Sequence, residues 1–497
     1  MSCPVPFTAG RDHDDSEMMI LPKMNDGHVR LIIALLVFVP AIFSPSLICQ
    51  QPLQNSPTIG NVATQPALHS AGWVTDAVIY SAYLRSASPE GTFAGFEKRI
   101  PELKAMGVTV VWLLPIHPVG VKLRKGTLGS PYSVQDYYSV NPEFGTMDDF
   151  RNLLKTVHAN GMKLIIDLVI NHAAWDSKLI GLHPEWFKHD ASGAIISPNS
   201  NWTDVAALDY SKSDLRNYLM DMMEWWVKDI GIDGFRCDVA EMVPLDFWQE
   251  ARRRLNAIKP VMMLSEGSKP EHHLEAFDLT YSWNLYDLFD PLLKNTRPAF
   301  DLDTLLEKEA LRFPKGSLRL RFNTNHDKNA WDSPAVLKYG PDGLKLTAIL
   351  INTLPGVPLL YTGEEVANDK KLSLFEKVQV DWSRPHDMEK LYTTLFHLRR
   401  DHKALRSGNF VHVSSSDEKT VYAFVRISGS DKILTVVNFG KDSVATNLTV
   451  PEQVFGDDPE IALHEIFSDR SIIIQKTKPL EVQLSPRGYQ MYILKTK

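Results

Sequence analysis

The feature that most constrains this chain is a recurring alternation of short apolar runs with amphipathic stretches. Segments 108–114 (VTVVWLL) and 163–169 (KLIIDLV) are nearly continuous apolar runs. Such runs are the pattern of parallel strands buried on both faces. Between them, Phe150, Leu153, Leu154 and Val157 fall at i, i+3, i+4 and i+7, which predicts one apolar helix face. Thr146, with Asp149 three residues on, predicts its start, and Gly161 its stop. The unit recurs. Leu215, Leu219, Met222 and Trp226 mark a second such face, ended near Gly231; a strand over 234–239, a helix over 245–258 and a strand over 261–265 follow. Further strands are predicted at 278–282, 317–323 and 358–361, with a helix over 344–354 between the last two. With 78–84 the count reaches eight strands, so the fold class is α/β and the architecture a closed (β/α)8, or TIM, barrel.

The chain of 497 residues has room for more. One connection, 172–213, is too long for an ordinary turn; it reads as a functional loop or a small inserted subdomain. After a helix at about 388–400 the period changes to two, at 421–426, 432–438, 472–475 and 489–494. That predicts a C-terminal antiparallel β domain, a sandwich, over 403–497. The barrel is expected over 76–402 and a Gln-, Pro- and Ser-rich linker over 50–75. Within 1–49, residues 31–49 carry no charge and contain Pro40 and Pro45, which reads as the core of an export signal more than as a membrane anchor. The acidic residues Asp12, Asp14, Asp15 and Glu17 are wrong for a signal, so translation starting at Met18, Met19 or Met24 is the companion expectation. The expected location is secreted, periplasmic or cell-envelope, with membrane contact only if this segment is retained.

Charge excludes one class of partner. Lys plus Arg number 53 against 60 Asp plus Glu, so no basic excess points to nucleic acid. The three cysteines, Cys3, Cys49 and Cys237, are too few and too far apart for a disulfide framework or a cysteine zinc site, and Cys237 in a strand is expected to be inert and buried.

Enzymes on this barrel carry their catalytic groups at the C-terminal strand ends, so polar residues there are the informative set. The third strand ends in Asp167-Leu-Val-Ile-Asn171-His172. In the fourth, Arg236 and Asp238 share one face because strand side chains alternate. Glu266 ends the fifth, and Asn325-His326-Asp327 follows the seventh. A charge in an apolar run is costly unless paired, and a repeated placement at one barrel end argues for chemistry. Arg236 is expected to lower the pKa of Asp238, and the apolar Met262, Met263 and Leu264 to raise that of Glu266. An ionised Asp beside a protonated Glu is the pairing a retaining glycosidase uses, its carboxyls about 5–5.5 Å apart. Neighbouring strands lie about 4.8 Å apart, so adjacent strand ends suit that spacing.

DLVINH (167–172), GFRCD (234–238), SE (265–266) and NHD (325–327), in that order, resemble the four motifs of the α-amylase family of glycoside hydrolases. SPYSVQDYYSVNPEFGT (130–146) and LPGVPLLYTGEE (354–365) add family-like segments. The resemblance implies Asp238 as nucleophile, Glu266 as acid and base, and Asp327 as the group that binds hydroxyls at the cleavage point and distorts the ring. It implies Arg236 orienting Asp238, His172 and His326 bonding the same sugar, Tyr132 stacking beneath it, and Asp167 supporting Arg236. The 172–213 insertion would be domain B and the terminal sheet domain C. No organic cofactor is implied; Asn171 matches a calcium-ligand position. The implied partner is an α-glucan oligosaccharide or polysaccharide, cleaved at α-1,4 links. An α-glucosidase, a neopullulanase-like enzyme and a transglycosylase are alternatives within this chemistry, and an inert amylase-like ectodomain is the alternative outside it. Segment 203–209 (TDVAALD) and Met242 depart from the family pattern.

Trp175, Trp202, Trp283 and Trp331 are expected in loops, either stacking on sugars or packing; Trp112, Trp225 and Trp226 are expected in the core. Glu364 and Glu365 are expected near the cleft or as helix-end charge, and His272 and His273 on a solvated helix surface.

Overall fold

A computed structural model describes residues 61–468 and 470–495. The expected export signal or anchor at 1–49 and the first part of the linker lie outside the described residues. Among the described residues no helix is long and apolar enough to cross a membrane.

Eight parallel strands close into a barrel: β1 (Ile79–Ala82), β2 (Val110–Leu113), β3 (Lys163–Leu168), β6 (Gly234–Cys237), β7 (Met262–Ser265), β8 (Leu279–Tyr281), β9 (Leu318–Phe322) and β10 (Val357–Tyr361). All eight stand where the sequence predicts strands. The strands are almost wholly buried, since helices cover the outside and side chains fill the inside. The helix Met147–Ala159 begins with a reciprocal capping box between Thr146 and Asp149 and buries the four apolar residues of its face. The helix Ser213–Trp225 runs into a wider turn, Trp226–Ile230, and stops at Gly231, whose φ of 99° is left-handed.

The long connection is built on β4 (His172–Ala174) and β5 (Val205–Ala207), an antiparallel pair with His172 opposite Ala207. Near the N-terminus, residues 65–68 run along the barrel, with the Ala67 and Leu68 N–H groups donating to Lys315 O and His273 O at 2.9 and 2.8 Å.

The C-terminal part holds eight antiparallel strands: β11 (Asn409–Ser415), β12 (Val421–Ser428), β13 (Asp431–Asn438), β14 (Val444–Thr449), β15 (Glu460–Glu465), β16 (Ser471–Gln475), β17 (Leu480–Leu484) and β18 (Tyr489–Lys495). β11 pairs with β12 through its first five residues and with β14 through its last two, so one strand serves two sheets. Arg426 on β12 is buried and donates to Thr353 O at 2.7 Å, tying the sheet to the barrel.

Candidate active site

The polar strand ends converge at one barrel mouth. Asp167 on β3 stands directly opposite Arg236 on β6, and Cys237 opposite Ser265 on β7, so Asp238 and Glu266 leave adjacent strands side by side. Cys237 itself is buried, as its strand position predicts. Arg236 is fully buried. Its Nη1 donates to Asp167 Oδ1 at 2.7 Å and to Asp238 Oδ1 at 2.8 Å, and its Nε to Tyr281 Oη at 3.2 Å. Nη2 lies 3.0 Å from Glu266 Oε2 but makes no aligned hydrogen bond. The Trp112 ring, 5.3 Å from the guanidinium, floors the cluster from inside the barrel.

The turn after β6 is strained. Val239, a β-branched residue, adopts φ 36° and ψ 46°, a left-handed conformation that costs about 1–3 kcal/mol. This turn aims the Val239 N–H at Glu266 Oε2, 2.7 Å away. Glu241, two residues on, accepts from the Ser268 N–H at 2.5 Å, so the turn grips the chain on both sides of Gly267. Glu266 is therefore met by a backbone N–H and a guanidinium, not by an apolar wall alone.

Tyr132 and His326 form a second layer. The Tyr132 hydroxyl donates to Asp167 Oδ2 at 3.2 Å and lies 2.7 Å from His326 Nε2, with the two rings stacked at 5.4 Å. His326 Nε2 also lies 3.3 Å from Asp327 Oδ2. His172 Nε2 is 3.1 Å from Tyr132 O, and the Asn171 amide reaches His172 Nδ1 at 3.3 Å. Burial lowers the His172 and His326 imidazoles to about 4 and about 3, so both are neutral at pH 7.

The site carries four carboxylates and one guanidinium. Burial pushes Asp167, Asp238 and Asp327 above the usual carboxylate range, with Arg236 opposing in each case and Glu266 pushing Asp167 and Asp238 further up. This corrects the expectation that Arg236 keeps Asp238 low: one buried cation does not offset burial plus three like charges. The cluster as a whole therefore retains protons that separate carboxylates would release.

Above the cluster lies a pocket of about 210 Å³. It is lined by Asp238, Glu266 and Asp327 with Tyr132, His172 and His326, so six of the residues singled out by sequence share one cavity. Asp167 and Arg236 lie beneath it. Trp202 and Trp331 also line it, whereas Trp283 packs on Tyr281 and Phe322, and Trp175 donates to Thr203 O at 2.9 Å. Trp112 and Trp226 are fully buried and Trp225 is half-buried. Sequence reasoning missed Val239, Lys125 and Phe375 on the lining. No periodicity or motif marks a backbone strain or a long-range loop contact.

One expectation needs correction. His272 and His273 are buried, not solvated: His272 Nδ1 lies 2.9 Å from Ser265 Oγ and His273 Nε2 2.8 Å from Thr280 Oγ1, while His273 Nδ1 is buried without a hydrogen-bond partner among the described residues. Glu364 and Glu365 do not line the pocket. Both stand in the first turn of a short helix, Glu364–Val366, as the helix-end alternative expects; Glu365 pairs with Arg99 at 3.1 Å, and Glu364 accepts from Asn323 at 2.9 Å while burial pushes it up to about 7. Calcium at Asn171 is not confirmed by the site. The Asn171 side-chain NH2 lies 3.3 Å from His172 Nδ1, and no group of three or more His, Cys, Asp or Glu suited to a metal ion occurs among the described residues.

Comparison with known proteins agrees with this geometry. The model of the α-amylase catalytic domain matches residues 69–204 and 199–410. The chain is 31% identical to a maltogenic α-amylase, AmyB, from Thermotoga neapolitana, whose crystal structure superposes with a TM-score of 0.78 over 85% of this chain and 100% of that one. It is 24% identical over 411 residues to the α-amylase MalA of Haloarcula japonica, covering 78% of this chain and 59% of that protein. It is also 24% identical over 423 residues to a cyclomaltodextrinase of a Bacillus species, covering 74% of each. With its catalytic motifs gathered at one barrel mouth and the family match running through most of the barrel, the chain belongs to the α-amylase family of glycoside hydrolases.

Proposed function

We propose that this enzyme hydrolyses α-1,4-glucosidic bonds of maltodextrins and related α-glucans with net retention. The observation that carries the reading is the placing of Asp238 and Glu266 side by side on paired strands around one guanidinium. Adjacent strands lie about 4.8 Å apart, close to the roughly 5–5.5 Å of a double-displacement pair and short of the 6.5–9.5 Å needed to seat a water for inversion.

Arg236 donates an aligned hydrogen bond to Asp238 and none to Glu266. Hydrogen bonding to the charged form favours ionisation, which suits Asp238 to attack and leaves the proton-donor role to Glu266. An Asp238 oxygen attacks the anomeric carbon while the glycosidic bond breaks. Its electron pair stays on the leaving oxygen, which takes the Glu266 proton. A water then gives a proton to Glu266 as its oxygen attacks the same carbon, releasing Asp238. Asp327, with a third of its side chain exposed, accepts sugar hydroxyls, and neutral His172 and His326 bond the same ring. Tyr132 stacks against that ring.

The names of the relatives, an α-amylase, a maltogenic α-amylase and a cyclomaltodextrinase, support an α-glucan substrate. The test is proton NMR of the first product formed from maltoheptaose. An α-configured reducing sugar is expected; a β-configured one would overturn retention. The uncharged segment 31–49 supports an exported enzyme, and a mature N-terminus found at Met1 after expression in a secreting host would contradict that.

A further inference from the structure

Strand β9 carries two charges that the chemistry at the barrel mouth does not use. Its sequence, LRLRF over 318–322, alternates. Leu320 and Phe322 join the apolar cluster inside the barrel with Trp112, so Arg319 and Arg321 face outward. At outward positions Leu360 on β10 and Met263 on β7 are apolar and packed. Arg319 and Arg321 are both buried, and a buried guanidinium is costly unless it is paired. They share one buried carboxylate, Glu309 of the helix Asp301–Arg312. Arg321 takes the larger part of it. Its Nη2 donates to Glu309 Oε2 at 2.6 Å, its Nη1 to Ser282 Oγ at 2.5 Å and its Nε to Pro355 O at 2.8 Å. Arg319 Nε lies 3.5 Å from Glu309 Oε1 without an aligned hydrogen bond, and its other two nitrogens donate to uncharged groups, Thr280 Oγ1 and Tyr281 O. Burial, with Arg321 and Arg312 nearby, lowers Arg319 to about 9 against the pull of Glu309, so it is charged at pH 7 and under-compensated.

Arg319 lines a cavity of about 800 Å³ at the junction of the barrel with β11 of the C-terminal sheet. Small-molecule sites have volumes of roughly 300–1,000 Å³ and favour such junctions. Much of the wall is apolar: Leu306 and Ala310 from the helix, Phe313 beyond its end, Pro355 before β10 and Phe410 on β11. The Phe313 ring lies 3.9 Å from the Arg319 guanidinium. The remaining charges nearly cancel. Glu307 and Lys315 are both exposed at the rim, and Asp303 lies 2.9 Å from His412 Nδ1 and accepts from the Tyr422 hydroxyl at 2.7 Å. We propose that this junction cavity is a second ligand site, which binds an amphiphilic organic anion with its carboxylate on Arg319 and its apolar body between Phe313 and Phe410. An inorganic anion would leave the apolar wall uncovered, and an uncharged apolar molecule would leave the surplus guanidinium unanswered.

The test titrates the full chain with 4-phenylbutyrate and with its uncharged counterpart, 4-phenylbutan-1-ol, by calorimetry. The acid is expected to bind once per chain and at least tenfold more tightly than the alcohol. Ala310→Trp fills the cavity from an exposed helix position, so it is expected to weaken the acid at least tenfold and to leave turnover of maltoheptaose unchanged. Arg319→Met is expected to bring acid and alcohol within twofold of each other. Should that variant fail to fold, Ala310→Trp still decides the location and the acid-to-alcohol ratio the charge. No saturable binding of the acid, equal affinity for acid and alcohol in the wild type, or undiminished binding to Ala310→Trp would each overturn the inference.

Discussion

Strand β6 is bracketed by two buried aspartates that meet opposite treatment. At the foot of the barrel, Asp233 is surrounded by donors: His158 at 2.7 Å, Lys163 at 3.2 Å, Lys259 at 3.4 Å and the Leu164 N–H at 3.0 Å. Burial works against its charge, but these partners hold the carboxyl down at about 2. At the mouth, five residues on, Asp238 shares one guanidinium with Asp167 and Glu266, and burial drives it up. A carboxylate with surplus donors steadies the fold; one with surplus competitors is poised to exchange bonds and protons. The same division runs through barrel enzymes generally, with stability at the N-terminal face and chemistry at the C-terminal face.

The sharpest way to break this contrast is to neutralise each aspartate in turn. Asp238→Asn should lower turnover of maltoheptaose by roughly 1000-fold or more, since the proposed nucleophile is lost while binding groups remain, and should leave the melting temperature unchanged or higher. Asp233→Asn should do the reverse, costing about 2 kcal/mol of stability with turnover kept within a few-fold. Equal losses of activity in both variants, read by turnover and thermal melting, would erase the distinction.

Glu266→Gln refines the picture at the mouth itself. Substrates with activated leaving groups need little protonation, so their first step should fall less than tenfold, against roughly 100-fold or more for maltoheptaose. A uniform loss on both substrate types would deny Glu266 the acid role.

The two ends also differ in the sign of their pH dependence. The depressed pKa of Asp233 contributes stability that is present above about 4 and is lost as pH falls toward about 2. The raised pKa values of Asp167, Asp238 and Asp327 contribute stability present below about 4 and lost as pH rises through their folded values. Melting curves across pH should show Asp233→Asn flattening the acid limb and Asp238→Asn flattening the neutral-to-alkaline limb. Superimposable pH profiles for the two variants would contradict the assignment of opposite shifts.

The smallest effect concerns the strained turn. Val239→Gly removes a left-handed β-branched residue, so the gain of about 1 kcal/mol from relieved strain should offset the lost half-buried side chain and leave stability near wild type. Turnover should fall several-fold, because the N–H that holds Glu266 is less firmly aimed. An unchanged turnover would show that the strain is not used.

These comparisons also show what a sequence of this kind reveals. Strands β2 and β3 were legible because a strand buried on both faces reads as a nearly unbroken apolar run, and the other six followed from the repeat of that strand–helix unit. Arg236 and Asp238 were legible as partners because strand parity puts them on one face. The polar ends at 167, 266 and 327 could be read as one site because a closed barrel brings all its strand ends together. What stayed hidden depends on contacts far apart in the chain or on backbone angles. Arg85 meets Leu374 across 289 positions, and Thr127 meets Glu376 across 249. The φ of Val239 has no signature in a β-branched residue. His272 and His273 look like solvated polar residues until Ser265 and Thr280 are seen to bond them in the interior. In the C-terminal sheets, β14, β15 and β17 have partly exposed alternating faces, a weaker signal than the doubly buried barrel runs.

The central claim is that Asp238 forms the covalent bond to the sugar. It is tested most directly by treating the enzyme with 5-fluoro-α-D-glucosyl fluoride and mapping the labelled peptide by mass spectrometry. One fluoroglucosyl group on the peptide containing Asp238, absent from Asp238→Asn, is the predicted result. A label on any other carboxylate, or slow turnover with no covalent species in the wild type, would contradict it.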